Sequence, residues 1–386
     1  MKYISEFRCS ELAEGLIHQI HRKSKTPVRF MEFCGGHTVT IFKYGIRQVL
    51  PKAIEMVSGP GCPVCVTANA DLDKAIALAQ IPDVIITTFG DMLKVPGSRS
   101  SLQKAKADGA DVRMVYSTMD ALEIAEDNPT KSVVFLGIGF ETTAPTIAVS
   151  VLQAEDKGIK NYYVLSMHKL CPPIIRAILD SGEVKLDGLI CPGHVSAIIG
   201  SHPWEFISQD YNIPCVVSGF EPLDILQCVD MLVTQIENSE SKVEIAYKRG
   251  VRPEGNQQAL KLMDEVFELC PAQWRGIGEV AATGLKLRKQ YQRFDAEVAF
   301  EIEPGPACEP KGCICGEVLR GVKTPLDCQL FRKVCTPQSP VGPCMVSSEG
   351  SCSAHYLYGG DFGGQNSARS RQRGKASPRA YKTKLC

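Results

Sequence analysis

The sequence predicts an α/β protein: two Rossmann-like α/β lobes with mainly parallel sheets, followed by a cysteine-rich third domain. Three observations carry that expectation. Short apolar runs alternate with helical patterns from residue 28 to 236, the signature of β-α units around a parallel sheet. The runs are rich in Val, Ile and Phe and stop at Gly, Pro or Ser. Beyond Phe300 the periodicity fades, and seven of the chain's 17 cysteines fall between Cys308 and Cys352.

Taken in order, residues 1–27 read as an N-terminal helical segment that packs on the C-terminal domain. Strands are expected at 28–33, 53–57, 84–88 and 112–116 in a first lobe (28–128), which carries Cys34 and the pair Cys62 and Cys65. Further strands are expected at 132–138, 162–165, 188–191 and 214–218 in a second lobe (129–236). The Asp127-Asn128-Pro129 turn marks the boundary. Thr88-Phe89-Gly90-Asp91 resembles Ser218-Gly219-Phe220-Glu221, which reads as a loose internal duplication. Residues 237–293 read as a helical connection, with apolar spacing at Ala259, Leu262, Met263, Val266 and Phe267. The rest of the 237–360 unit is rich in Gly, Pro and Cys, and a bound metal centre would supply the stability its small core lacks.

Composition narrows the function classes. At 386 residues with 44% hydrophobic and 22% charged, the chain suits a globular protein of two or three domains. The zero net charge argues against nonspecific nucleic-acid binding by the whole protein. Residues 361–386 carry seven basic groups against Asp361 and read as a disordered basic tail. No secretory leader precedes Ser10, and no apolar run reaches the ~20 residues of a membrane helix. A cytoplasmic protein is expected, and in that reducing compartment so many cysteines point to metal ligation or redox work rather than to structural disulfides.

Four motifs follow expected strands, and a fifth set of cysteines lies downstream. Cys34-Gly35-Gly36-His37-Thr38 ends a strand and starts a helix, where glycines admit a ligand close to the backbone and the helix N-terminus favours a thiolate. Cys34 reads equally as a buried cysteine beside a tight turn. Cys62-Pro63-Val64-Cys65 permits a shared metal or a small disulfide; with no second such pair, redox cycling or transient iron binding with Cys34 is the better reading. Gly139-Phe140-Glu141-Thr142-Thr143 lacks the third glycine of a dinucleotide fingerprint. Cys191-Pro192-Gly193-His194 offers His194 as a proton donor or as a structural histidine. Downstream, Cys313, Cys328, Cys335 and Cys352 are separated by 14, 6 and 16 residues, with Cys315 and Cys344 between them. Four thiolates suit a [4Fe-4S] cube or a zinc ion, and the upstream dithiol favours the redox-active cluster.

Together with Gly342-Pro343-Cys344-Met345-Val346-Ser347, these ordered motifs resemble the HypD family of hydrogenase maturation factors over about residues 1–360. The resemblance implies a scaffold for assembling the Fe(CN)2CO group of [NiFe] hydrogenase, acting with HypC and HypE. It implies an iron-holding cysteine at Cys34, a redox pair at Cys62 and Cys65 that also serves as iron ligands, and a [4Fe-4S] cluster in an iron-sulfur third domain. Cys313, Cys328, Cys335 and Cys352 are the expected cluster ligands, with Cys315 and Cys344 as substitutes. His37, Glu141 and His194 would join the site, the last two managing protons. Two departures stand out: His37-Thr38-Val39 replaces the family's His-Thr-His, and the tail after Gly360 does not match. The competing readings are a stand-alone thiol-disulfide oxidoreductase using Cys62 and Cys65, and a zinc-stabilised interaction module.

Overall fold

The computed structural model describes residues 5–360, so the expected basic tail lies outside the described residues. Eleven strands are assigned: β1 (Val28–Glu32), β2 (Ile54–Ser58), β3 (Val84–Thr88), β4 (Asp111–Met114), β5 (Ser132–Gly137), β6 (Tyr162–Ser166), β7 (Gly188–Pro192), β8 (Cys215–Ser218), β9 (Val243–Ile245), β10 (Phe267–Trp274) and β11 (Gly278–Leu287). The first nine form two parallel sheets, ordered β2-β1-β7-β8-β9 and β4-β3-β5-β6. Every residue of β3 and β7 is buried. That is why these strands read as continuous apolar runs rather than alternating ones: helices cover both faces of a parallel sheet.

The α/β class and the parallel sheets agree with the sequence, but the lobe boundary does not. β3 pairs with β5 in register Val84 to Ser132, across the turn at 127–129. β1 pairs with β7, from Phe30 with Gly188 to Glu32 with Ile190. The second sheet is therefore inserted between β2 and β7 of the first. The expectation placed consecutive strands side by side, whereas the chain leaves the first sheet after β2 and returns only at β7.

The N-terminal helix α1 (Ser10–Lys23) also packs elsewhere than expected. Its apolar face, including the fully buried Ile20, shares a core with Leu226, Val229 and Val233 of the helix Pro222–Glu237. Lys23 pairs with Asp230 at 2.9 Å, and Arg8 pairs with Glu221. In the expected helical connection, only Gln257–Val266 forms a long helix; β10 and β11 form an antiparallel hairpin instead. Exposed Leu269, Pro271 and Gln273 alternate with part-buried Glu268, Cys270 and Ala272 along β10, a strand period that residue polarity does not follow.

The cysteine-rich region has a small core of its own, Phe331, Cys335 and Met345. No helix among the described residues is long and apolar enough to cross a membrane.

Candidate metal and dithiol site

Both parallel sheets reverse direction of strand order near their middles, the first between β1 and β7 and the second between β3 and β5. Loops at the carboxyl ends of strands flanking such a reversal leave a crevice. Cys34 follows β1, and Gly193 and His194 follow β7; Asp91 follows β3 and Glu141 follows β5.

Cys34 is half-buried and caps α2 (Gly35–Lys43) in an extended backbone conformation. Its amide donates to Glu32 Oε2 at 3.2 Å, while the Thr38 hydroxyl donates to Glu32 Oε1 at 2.6 Å. Burial raises the Glu32 carboxyl to about 7. The Cys34 thiol is itself raised to about 12, by burial first and then by Glu349, against the lowering effect of the Gly36 and His37 amides. The helix terminus does favour a thiolate, as expected, but desolvation and carboxylates outweigh it. A cation at the sulfur is what would make it ionise.

The Cys62-x-x-Cys65 loop is built against this turn. Gly35 N–H donates to Gly61 O at 3.0 Å, and a Cβ at Gly61 would collide with the backbone of Phe33 and Cys34. Cys62 caps the short helix Pro63–Val66, accepting from Cys65 N–H at 3.2 Å. The two cysteines are joined in a disulfide with Cα atoms 5.2 Å apart, and both are buried. On the far side, Cys65 Sγ lies 3.9 Å from the carbonyl of Pro343, next to Cys344.

The remaining upstream candidates divide into two groups. Glu141 is buried, and burial raises it to about 7; its Oε1 accepts from Cys171 N–H at 2.8 Å, and its Oε2 has no partner. Burial and Glu141 raise the Cys171 thiol, with Cys34 and Cys191 as further neighbours. Glu141 thus reaches the Cys34 region through Cys171. His37 is fully buried, 3.3 Å from Ser218 O through Nε2, and burial lowers it to about 4. Phe220 stacks on His37 with centroids 4.9 Å apart and on exposed His194 at 3.8 Å. What these two rings touch in common is an aromatic ring.

Downstream, Cys313, Cys315, Cys328, Cys335, Cys344 and Cys352 line one cavity with Phe331 and Met345. Gly342 closes it, since a Cβ there would lie 2.7 Å from Cys313 Sγ. Cys335 Sγ accepts from Val341 N–H at 3.4 Å. Cys315 and Cys344 occupy each other, sulfur to sulfur at 2.6 Å. Cys315 also bonds Cys313 and Cys344 also bonds Cys352, so all six thiols form one soft donor set around a small apolar space, a chemistry that suits an iron–sulfur cluster.

A family model described as "HypD: Hydrogenase formation hypA family" matches residues 11–359. The chain belongs to the HypD family. The hydrogenase maturation factor HypD2 of Bradyrhizobium diazoefficiens is 49% identical over 374 residues, covering 93% of this chain and 97% of that protein. HypD of Cupriavidus necator is 48% identical over 369 residues, with 93% and 97% covered. HypD of Escherichia coli is 44% identical over 366 residues, with 93% and 98% covered.

In this HypD family member the structure adds residues that the sequence reading passed over. Glu349 stands against Gly35, where a Cβ would collide with it, and its carboxyl is raised by burial and then by Asp91. Glu32 at the end of β1 and Glu349 from the cysteine-rich domain therefore both act on Cys34. Glu349 lies only two residues beyond the Gly342–Ser347 motif, which was the available signal. Arg275 is buried at the hairpin tip, donating to Thr67 O at 3.1 Å and pairing with Glu309 at 2.6 Å. Nothing in its sequence neighbourhood marks it.

Proposed function

We propose that this hydrogenase maturation factor holds a single iron at Cys34 while cyanide and carbon monoxide are installed on it, and that the Cys62/Cys65 pair exchanges electrons there. By family resemblance the partners are HypC, which would supply a second anchor for the iron, and HypE, which would bring the cyanide. The observation that carries this reading is the direct seating of the Gly61–Cys65 loop on the Cys34 turn, which holds a redox pair beside a metal-competent thiol.

The residues divide the work. Iron is cargo here; its charge converts Cys34 from thiol to thiolate, and the released proton enters a site rich in buried carboxyls. Cyanide and carbon monoxide are strong-field ligands, and a soft thiolate suits the low-spin iron they favour. Opening the Cys62–Cys65 disulfide takes two electrons and two protons and leaves two thiols, which can also ligate iron. An iron–sulfur cluster held by Cys313, Cys328, Cys335 and Cys352 would supply one-electron storage. Glu32, Glu349 and Glu141 hold or accept protons around the sulfurs. Burial of both Cys62 and Cys65, at 3% and 0% exposure, counts against the reading as a stand-alone oxidoreductase, because a client protein's thiolate needs access to the sulfur it attacks.

The test is infrared spectroscopy of the anaerobically copurified complex with HypC, comparing wild type with Cys34→Ala. The expected result is cyanide and carbon monoxide bands in the wild type only, with iron–sulfur absorption retained in both. Hydrogenase maturation by Cys34→Ala would reject the role given to Cys34.

A further inference from the structure

Away from Cys34, the segment between β3 and β4 and the cysteine-rich domain enclose an open groove of about 680 Å³. Four exposed cations line it: Lys94, Arg99, Lys104 and Lys311. None of them makes an ion pair among the described residues. The single acid of the lining, Glu309, is already held by Arg275 at 2.6 Å. Between the cations lie Pro96, Pro310, Pro340 and Val341 together with the hydroxyl-bearing Ser98, Ser100, Ser101 and Ser339.

Two of these apolar residues touch the sulfur-rich cavity. Val341 N–H donates to Cys335 Sγ at 3.4 Å, and Pro310 O accepts from Cys313 N–H at 3.2 Å. A molecule seated in the groove therefore stands one residue away from two of the four cluster-holding cysteines. A centre of uncharged small residues ringed by like charges suits a weak electrostatic encounter, in which complementary charge sets the on-rate and contact stays small.

We propose that this groove docks an acidic one-electron carrier protein, the source of the electrons used at the Cys62–Cys65 pair. The inference rests on the reading of Cys313, Cys328, Cys335 and Cys352 as cluster ligands. Each encounter oxidises the carrier by one electron, which passes into the cysteine-rich domain. Two encounters, with two protons from solvent, convert the disulfide to two thiols. A nucleic acid would also answer to four cations, but it gives no reason for the groove walls to bond to Cys313 and Cys335.

The experiment uses the full-length protein purified anaerobically, with a plant-type [2Fe-2S] ferredoxin as the acidic probe. Affinity is measured by calorimetry and electron transfer by stopped-flow oxidation of the reduced ferredoxin. Wild type should bind about tenfold more weakly when salt is raised from about 50 to about 300 mM, as screening shortens the reach of surface charge. The Lys94→Glu/Arg99→Glu/Lys311→Glu variant should lose at least about tenfold in both affinity and transfer rate at low salt, while dithionite reduces it as it does wild type. The corresponding Gln variant should fall between them, and it serves if the charge reversal disturbs folding. Equal ferredoxin binding by wild type and variant, with iron–sulfur absorption intact in both, overturns the groove as a docking site. Tighter capture of an RNA oligonucleotide than of ferredoxin, lost in the same variant, overturns the choice of partner. Absence of iron–sulfur absorption from the wild type overturns the inference together with the cluster reading beneath it.

Discussion

The sulfur atoms of Cys315 and Cys344 lie 2.6 Å apart. This inner pair stands beside the four outer cysteines on one side, while on the other the Pro343 carbonyl approaches Cys65 Sγ at 3.9 Å. The Pro343–Cys344 segment therefore touches both the sulfur-lined cavity and the Cys62–Cys65 disulfide.

Replacing Cys315 by Ser should leave the iron–sulfur absorption in place and slow reduction of the Cys62–Cys65 disulfide by about tenfold or more, a barrier increase of about 1.4 kcal/mol. Differential alkylation and mass spectrometry of Cys62 and Cys65 after anaerobic reduction read this directly. An unchanged rate would remove the inner pair from the path. Cys328→Ser, by contrast, should lose the absorption itself.

Gly61 sets how closely the redox loop approaches Cys34. An added methyl group at that position meets main chain, which cannot swing aside as a flexible side chain would. Gly61→Ala should destabilise the protein by about 1–3 kcal/mol and weaken iron binding at Cys34. Anaerobic urea unfolding, with iron titration of the intact cluster-bearing protein, tests both effects. A variant with wild-type stability and affinity would show that the loops tolerate separation.

The buried Arg275 guanidinium ties the hairpin tip to the helix after the dithiol and, through Glu309, to the start of the cysteine-rich domain. Arg275→Met would strand the Thr67 carbonyl and Asn69 without their charged donor, at a cost of about 2–4 kcal/mol. Arg275→Lys should recover only part of this, since an ammonium lacks the planar fork. Urea midpoints of the three proteins settle the order.

Burial lowers His168 to about 3, with Nδ1 2.9 Å from Ser166 Oγ and Nε2 unpartnered. The folded protein keeps this ring neutral, whereas the unfolded chain protonates it below about 6.5. Its contribution is thus complete above pH 6.5 and declines as the pH falls toward 3, by up to about 1.4 kcal/mol per unit. His168→Gln should flatten the loss of stability between about pH 6 and 4.5 relative to wild type. Parallel slopes in urea titrations across that range would show that His168 is not the titrating group.

Much of the site was legible because its residues are local in sequence. Cys34-Gly35-Gly36 and Gly61-Cys62-Pro63-Val64-Cys65 end strands that the Val, Ile and Met content of their own segments announces. The β3 and β5 runs were equally plain. Glu349, Cys171 and Arg275 were not, since each acts through a partner far away in the chain: Glu349 against Gly35, Cys171 beside Glu141, Arg275 on Thr67. The hairpin was hidden because the exposed positions of β10 hold Leu269, Pro271 and Gln273 while Glu268 is part-buried, so polarity does not alternate with exposure.

The amino-acid sequence alone determined the α/β class, the positions of β1 to β8, the two sulfur-bearing segments and the family, because propensity, patterning and motif chemistry operate over a few neighbouring residues. Only the tertiary structure decided that β3 through β6 form an inserted sheet, that Glu32 and Glu349 both act on Cys34, and that Cys315 and Cys344 meet in the cavity lined by the other four cysteines. Strand order and sulfur neighbours depend on which distant segments bury each other's surfaces, and that pairing is a property of the whole chain's packing.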